Sequence, residues 1–189
     1  MPSGARVRRT RTTTCRRTSA CTTSSRSVES SRPVREPTAL DDRRVRALAA
    51  EEFHARLRGI PEAVAGPLIS AQATSKLGGL AAAYPDAAVE LVLVDGAAAG
   101  YVVTASADDG IRLCDIVVAE ASRGTGVGRA MLAGVVERAD ADGAAVTLSV
   151  WHDAAARAWY ARHGFVVCGG DPQGHVEMRR EYPGIHSVA

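Results

Sequence analysis

The run Arg123-Gly124-Thr125-Gly126-Val127-Gly128-Arg129 joins an apolar, strand-like stretch, Ile111 to Val118, to a stretch of helical periodicity. A strand, a glycine turn and a helix in that order bring the start of the helix against the end of the strand. The first N–H groups of a helix have no internal acceptor, and the aligned peptides put about +0.5 charge there, so the junction suits a phosphate or pyrophosphate. Glycine at 124, 126 and 128 opens dihedrals closed to other residues and lets a ligand approach the main chain. Arg123 and Arg129 bracket the turn with positive charge.

Two familiar phosphate loops fail on spacing. A P-loop needs a lysine followed by Ser or Thr after its glycines, and the only lysine, Lys76, stands elsewhere. A dinucleotide fingerprint, Gly-x-Gly-x-x-Gly, would need glycine at 129, which is Arg129. An ordinary glycine-rich strand-to-helix connection is the plain alternative, and the flanking arginines weigh against it.

The same run resembles the acetyl-CoA signature of the GNAT N-acetyltransferase superfamily, Arg/Gln-x-x-Gly-x-Gly/Ala, with Arg123, Gly126 and Gly128 in register. A second stretch, Ala156-Arg157-Ala158-Trp159-Tyr160-Ala161-Arg162-His163-Gly164-Phe165, is similar to that family's Ala-x-x-aromatic/Leu-Tyr-x-x-x-Gly-Phe motif. Upstream, Val34 to Thr38 with Asp41-Asp42, and Tyr84-Pro85-Asp86 with Asp95-Gly96, resemble its first strand and the surroundings of its second. Two motifs in order, about thirty residues apart, carry the resemblance, which runs from about residue 33 to about 182.

The chain has 189 residues, enough for one domain with a core. Its net charge of +2 conceals a division. Residues 1–32 carry eight arginines (Arg6, Arg8, Arg9, Arg11, Arg16, Arg17, Arg26 and Arg32) against Glu29 alone, while the rest has five more acids than bases. This Arg/Ser/Thr-rich segment has too little apolar surface to offset chain entropy and is expected to be a disordered tail. A mis-assigned start codon accounts for it most simply. It has no aromatic for base stacking, which argues against a nucleic-acid partner, and no apolar run follows Arg8-Arg9 as an export signal requires. The expected organisation is a tail over 1–32, an N-acetyltransferase domain over 33–182 and a short tail over 183–189.

Cys15, Cys21, Cys114 and Cys168 form no Cys-x-x-Cys, so no metal site or disulfide framework is expected. Cys114 and Cys168 fall in apolar strand-like runs and read as small core residues. No apolar run reaches the ~18 residues of a membrane span. The arginine- and alanine-rich composition suggests a bacterial, cytoplasmic protein.

Periodicity places a helix from Arg43 with Asp41 or Asp42 as N-cap, then a second from Pro61 to about Lys76, broken or kinked at Gly66-Pro67. Three strands follow as an antiparallel meander: Val89–Val94, Tyr101–Ala105 and Ile111–Val118. A helix over Gly126–Ala141, a strand over Val146–Val150, a helix over Ala154–His163 with Asp153 as cap, and a strand over Phe165–Cys168 complete the core. Val176–Glu181 reads as a final edge strand. This is an α+β order. Under the resemblance it implies a mixed, mostly antiparallel sheet of six to seven strands flanked by about four helices, splayed between Ile111–Val118 and Val146–Val150.

The resemblance also implies an activity: transfer of an acetyl group from acetyl-CoA, without a metal, to a primary amine on a small molecule or peptide. The main chain of Ile116, Val117 and Val118 would hold the pantetheine arm and thioester carbonyl. Arg123, Gly124, Thr125, Gly126, Val127, Gly128 and Arg129 would hold the pyrophosphate. Tyr160 occupies the position of the acid that protonates the departing thiolate, though it also suits a core aromatic beside Trp159. Two departures stand out. Asp153 replaces an asparagine that bonds the coenzyme in many relatives. On the strand where relatives place a base, Arg112 and Cys114 are expected to share a face with Ile116 and Asp115 to point away. Glu90 and His152 are candidate bases, a water relay is another, and none is selected. The alternative reading is a catalytically silent acyl-CoA-binding module. Monomer and homodimer are both open.

Overall fold

The computed structural model describes residues 33–54 and 57–184. The basic segment over 1–32 and most of the short tail after 182 therefore lie outside the described residues. Strand β1 (Val34–Thr38) leads into helices α1 (Arg43–His54) and α2 (Glu62–Ala83), followed by strands β2 (Ala88–Val94), β3 (Ala97–Ala107) and β4 (Gly110–Val118). Helix α3 (Val127–Ala141), strand β5 (Ala145–Trp151), helix α4 (Ala155–Ala161) and strands β6 (Val166–Gly170) and β7 (His175–Arg180) complete the order.

The strands form one seven-stranded sheet in the order β1-β2-β3-β4-β5-β7-β6. Only the β4–β5 pair is parallel. Asp95 (φ 53°) and Gly96 (φ 76°) make the tight β2–β3 turn, whose left-handed dihedrals match the twist of a two-residue hairpin. Asp108 and Asp109 make the β3–β4 turn, with Ala107 paired to Gly110.

Each face of the sheet carries its own core. On one, α3 and α4 bury Met131, Leu132, Val135 and Tyr160 against Leu148, Met178 and Phe165. On the other, α1 and α2 bury Val45, Leu48, Ala73 and Leu77 against Leu91, Tyr101 and Val117. Leu132 is 1% exposed. Leu132→Ala is expected to cost ~2–5 kcal/mol, the usual range for a cavity at a packed leucine, read as a lowered denaturant midpoint with an unchanged slope.

Asp42, not Asp41, caps α1: its Oδ1 accepts the Arg44 N–H at 2.7 Å. Bonds from Arg44, and then from Thr38, hold its carboxyl well below the ordinary carboxylate range.

Four expectations are corrected. Helix α2 runs unbroken through Gly66-Pro67 to Ala83. Pro67 forfeits one amide bond, but Ala65, Ile69, Ala73 and Leu77 recur every four residues and bury one continuous stripe. Strand β7 is not at the edge; it lies between β5 and β6, with Val176 and Met178 buried. The edge is β6, so Cys168 is exposed rather than a core residue. Helix α4 starts at Ala155 after Ala154, and Asp153 does not cap it.

Candidate active site

Strand β4 carries an irregularity that organises the site. Thr104 pairs with Leu113 and Val103 with Asp115, so Cys114 is an extra residue, a β-bulge. The parallel ladder to β5 ends at Leu113↔Leu148, immediately before it. Beyond that point the two central strands separate, as expected. The bulge also flips the alternation: Leu113, Ile116 and Val118 face α3 and α4, while Cys114 and Val117 pack on the α1/α2 side. Asp115 also turns to that side, where it meets Tyr101 and Lys76. Cys114 therefore does not share a face with Ile116. Arg112 does not either, and is tied to Glu177 on β7.

The turn after β4 is shaped as an anion nest. Gly124 (φ 78°) and Gly126 (φ 93°) both take left-handed dihedrals on either side of Thr125, whose hydroxyl donates to the Ser122 carbonyl at 2.7 Å. Alternation of this kind turns successive N–H groups toward one point. Ala130 makes the first intrahelical bond of α3, to Gly126. Among the described residues no protein acceptor meets the N–H of Gly124, Gly126, Val127, Gly128 or Arg129. The helix is anchored from behind, because Arg35 donates to the carbonyls of Ala130 and Met131 at 2.9 and 3.0 Å and pairs with Glu90 at 2.9 Å. Its guanidinium fills the space a side chain at Gly134 would need.

A cleft of about 560 Å³ opens where β4 leaves β5. It gathers Ile116, Val118, Arg123, Gly124, Gly126, Gly128, Arg129 and Tyr160 from the residues expected at the site. Three expected residues lie outside its lining. Val117 packs on the opposite face, the Val127 side chain is buried beneath α3, and Thr125 braces the loop. Sequence reasoning missed Ser122, Ala155, Ala156, Trp159 and Arg162, which also line the cleft. Helical spacing from Tyr160 back to Ala156 was the signal for the last wall. Arg123, Arg129 and Arg162 form no ion pair among the described residues, whereas Arg35, Arg44, Arg138 and Arg180 each hold a carboxylate. In this structure Arg123 Nε donates to the Val118 carbonyl at 3.3 Å.

Tyr160 is 7% exposed, packed edge-on against Trp159 and Phe165. No described protein group bonds its hydroxyl, yet no buried side-chain oxygen lacks a partner among the described residues, so the hydroxyl is open to the cleft. Burial, then the charge of Asp115, pushes the phenol above its ordinary range. The two candidate bases lie off the cleft. Glu90 is held by Arg35 and Arg138 on the α3 side, and the His152 ring stacks near Trp151. No cluster of three or more His, Cys, Asp or Glu among the described residues could hold a metal ion. No described helix is long and apolar enough to cross a membrane.

These features can bind a polyphosphate at a helix start and offer a proton donor at the other end of the same cleft. A search among curated proteins gave no match. Among solved structures, the chain resembles the PaiA N-acetyltransferase of Thermoplasma acidophilum, crystallised with coenzyme A (TM-score 0.59, 14% identity, 80% of this chain and 99% of that one). It resembles the ribosomal-protein-S18-alanine N-acetyltransferase of Escherichia coli (TM-score 0.55, 17% identity, 84% and 99%). It also resembles an acetyltransferase of Thermus thermophilus (TM-score 0.57, 19% identity, 79% and 96%). At such identities the likeness establishes the fold, a GNAT fold. The family model for the acetyltransferase (GNAT) domain matches residues 79–179, more than half of the sequence, and the chain belongs to the GNAT acetyltransferase family.

Proposed function

We propose that the protein transfers the acetyl group of acetyl-CoA to a primary amine. The observation that carries this reading is that the anion nest at the head of α3 and the Tyr160 hydroxyl open on one cleft, at the point where β4 and β5 part. The free amides of Gly124 and of residues 126–129, with Arg123 and Arg129, suit the pyrophosphate. The unpaired edge of β4 at Ile116–Val118 suits the amides of the pantetheine arm, whose arrival would displace Arg123 from the Val118 carbonyl toward the phosphates. Tyr160 is the proton donor to the thiolate. Its raised pKa keeps the phenol protonated across the physiological range, and the same apolar wall disfavours a bare thiolate and makes it more basic.

Calorimetry with acetyl-CoA tests the first half of this reading, and thiol release over a panel of amines tests the second. Tight binding without turnover of any amine would favour the silent binding module, toward which exposed Asp153, with no amide to offer, is the pointer. The third unpaired guanidinium, Arg162, stands on the wall opposite the nest and suits the remaining phosphate of the coenzyme, on its ribose. Arg162→Ala is expected to weaken coenzyme A binding about tenfold, one charge-assisted bond's worth, and to leave dephospho-coenzyme A binding unchanged.

A further inference from the structure

Helices α1 and α2 cover only part of their face of the sheet. The core beneath them draws on β2, β3 and β4 and takes no residue from β5, β6 or β7. On β5, Val146, Leu148 and Val150 turn to the α3/α4 side, so Ser149 and Trp151 point the other way, as do their partners Glu177 and His175 on β7. The β4–β5 ladder ends at Leu113↔Leu148, which makes Ser149 and Trp151 the next side chains along this face and one lip of the opening. A coenzyme lying against the nest and Tyr160 fills the opening from the α3/α4 face, and an acceptor then reaches the thioester past this lip. Trp151 is 46% exposed, and no other Trp, Tyr or Phe among the described residues is as open. Its ring is held in place. His175 meets it edge-on, with centroids 5.0 Å apart and planes at 83°, and the His152 ring stands 5.6 Å away at 48°. Both histidines are tied to the sheet, since His175 pairs with Trp151 in register and the His152 N–H donates to the Gly174 carbonyl at 2.8 Å. The charged side chains of this face are already matched. Arg112 holds Glu177, Arg179 holds Asp109 and Glu181, and across the opening Lys76 joins Glu52 and Asp115. What these strands leave free at the lip is aromatic surface, which suits a second flat ring.

We propose that the acceptor is a primary amine joined by a short chain to an uncharged aromatic ring, and that Trp151, steadied by His175 and His152, selects it by stacking on that ring. This rests on the acetyl-transfer reading above and names the substrate class of the same site. With the ring against Trp151, the amine at the end of its chain lies over the opening. The nitrogen bonds to the thioester carbonyl carbon and gives up a proton to solvent. The carbon–sulfur bond breaks, and coenzyme A leaves as the thiol with the proton of Tyr160, which solvent restores. A second ammonium or a carboxylate on the acceptor would meet only paired ions on these strands and would lose its hydration without return. The lip therefore discriminates by shape and ring surface rather than by charge.

The test uses the full chain and saturating acetyl-CoA, with thiol release compared at equal concentrations of free-base amine. The acceptors are 2-phenylethylamine, n-butylamine, and butane-1,4-diamine and 4-aminobutyrate, which add an ammonium or a carboxylate to the same four-carbon chain. For wild type, kcat/KM with 2-phenylethylamine is expected to exceed that with n-butylamine about tenfold, the upper range for one aromatic contact, and the two charged amines are expected to fall below n-butylamine. Trp151→Ala is expected to erase the preference for the ring, and Trp151→Phe to keep most of it, with acetyl-CoA affinity unchanged in both. A wild-type ratio under about twofold, less than an aromatic contact gives, overturns the proposal. So does a preference that survives in Trp151→Ala, or a charged amine that outruns 2-phenylethylamine. Should the Ala variant fail to bind acetyl-CoA, Trp151→Leu decides instead, and a preference retained there overturns the proposal equally. Wild-type protein that binds acetyl-CoA but releases no thiol with any of the four amines sinks the transfer reading and this inference with it. Transfer to n-butylamine and 2-phenylethylamine with equal efficiency sinks the inference alone.

Discussion

Gly126→Val is expected to weaken acetyl-CoA binding by about 100-fold, equivalent to losing one or two charge-assisted hydrogen bonds, while lowering stability by only ~1–2 kcal/mol. The two effects separate because of what surrounds the residue. Gly126 is the N-cap of α3, at φ 93°, a conformation that a β-branched residue resists. Yet nothing in the free protein lies within 4 Å of where its Cβ would stand. The fold therefore bears only the dihedral strain, relieved in part by a shift of the turn. That shift turns the amides of Gly124 and Gly126 away from their common focus, and the added side chain occupies the space a phosphate would take. Calorimetry and a thermal melt on one preparation read the two numbers. Equal affinity in wild type and variant would show that the coenzyme is bound elsewhere.

Tyr160→Phe is expected to lower kcat by about 100-fold or more, with acetyl-CoA affinity and the melting temperature nearly unchanged. The hydroxyl has no protein partner among the described residues, so its removal leaves no buried donor or acceptor stranded. The ring keeps its edge-on contacts with Trp159 and Phe165, with centroids 4.9 and 5.6 Å away. A structural role for Tyr160 would thus be filled by phenylalanine, and only a chemical role would not. Steady-state thiol release with n-butylamine, beside calorimetry, distinguishes them. A variant as fast as wild type would reduce Tyr160 to a core aromatic.

The cap of α1, the β2–β3 hairpin turn and the glycine loop were legible in the chain itself, because their causes are local. Asp42 bonds an amide two residues on, Asp95-Gly96 adopts the dihedrals its turn requires, and Gly126 precedes a helix whose apolar face repeats at helical spacing. The two motifs also sufficed to name most of the residues that line the cleft, since strand, turn and helix α4 each carry their own signal. Even the parting of β4 from β5 follows from the family resemblance of the two motifs.

Long-range geometry decided the rest. Pro67 reads as a helix breaker, and only the stripe that α2 buries overrides it. The place of β7 between β5 and β6 depends on which strands pair across dozens of residues, which spacing does not encode. Above all, one inserted residue at Cys114 reversed the alternation of β4, because a period of two turns every later side chain to the other face when a single residue is added. That insertion brought Asp115 to Lys76 and Tyr101, residues 39 and 14 positions away in the chain. The sequence thus determined the chemistry available to this protein and set Asp115 and Ile116 on opposite faces of β4, while tertiary pairing alone determined which helical layer each face meets and moved Arg112 and Cys114 off the face of Ile116.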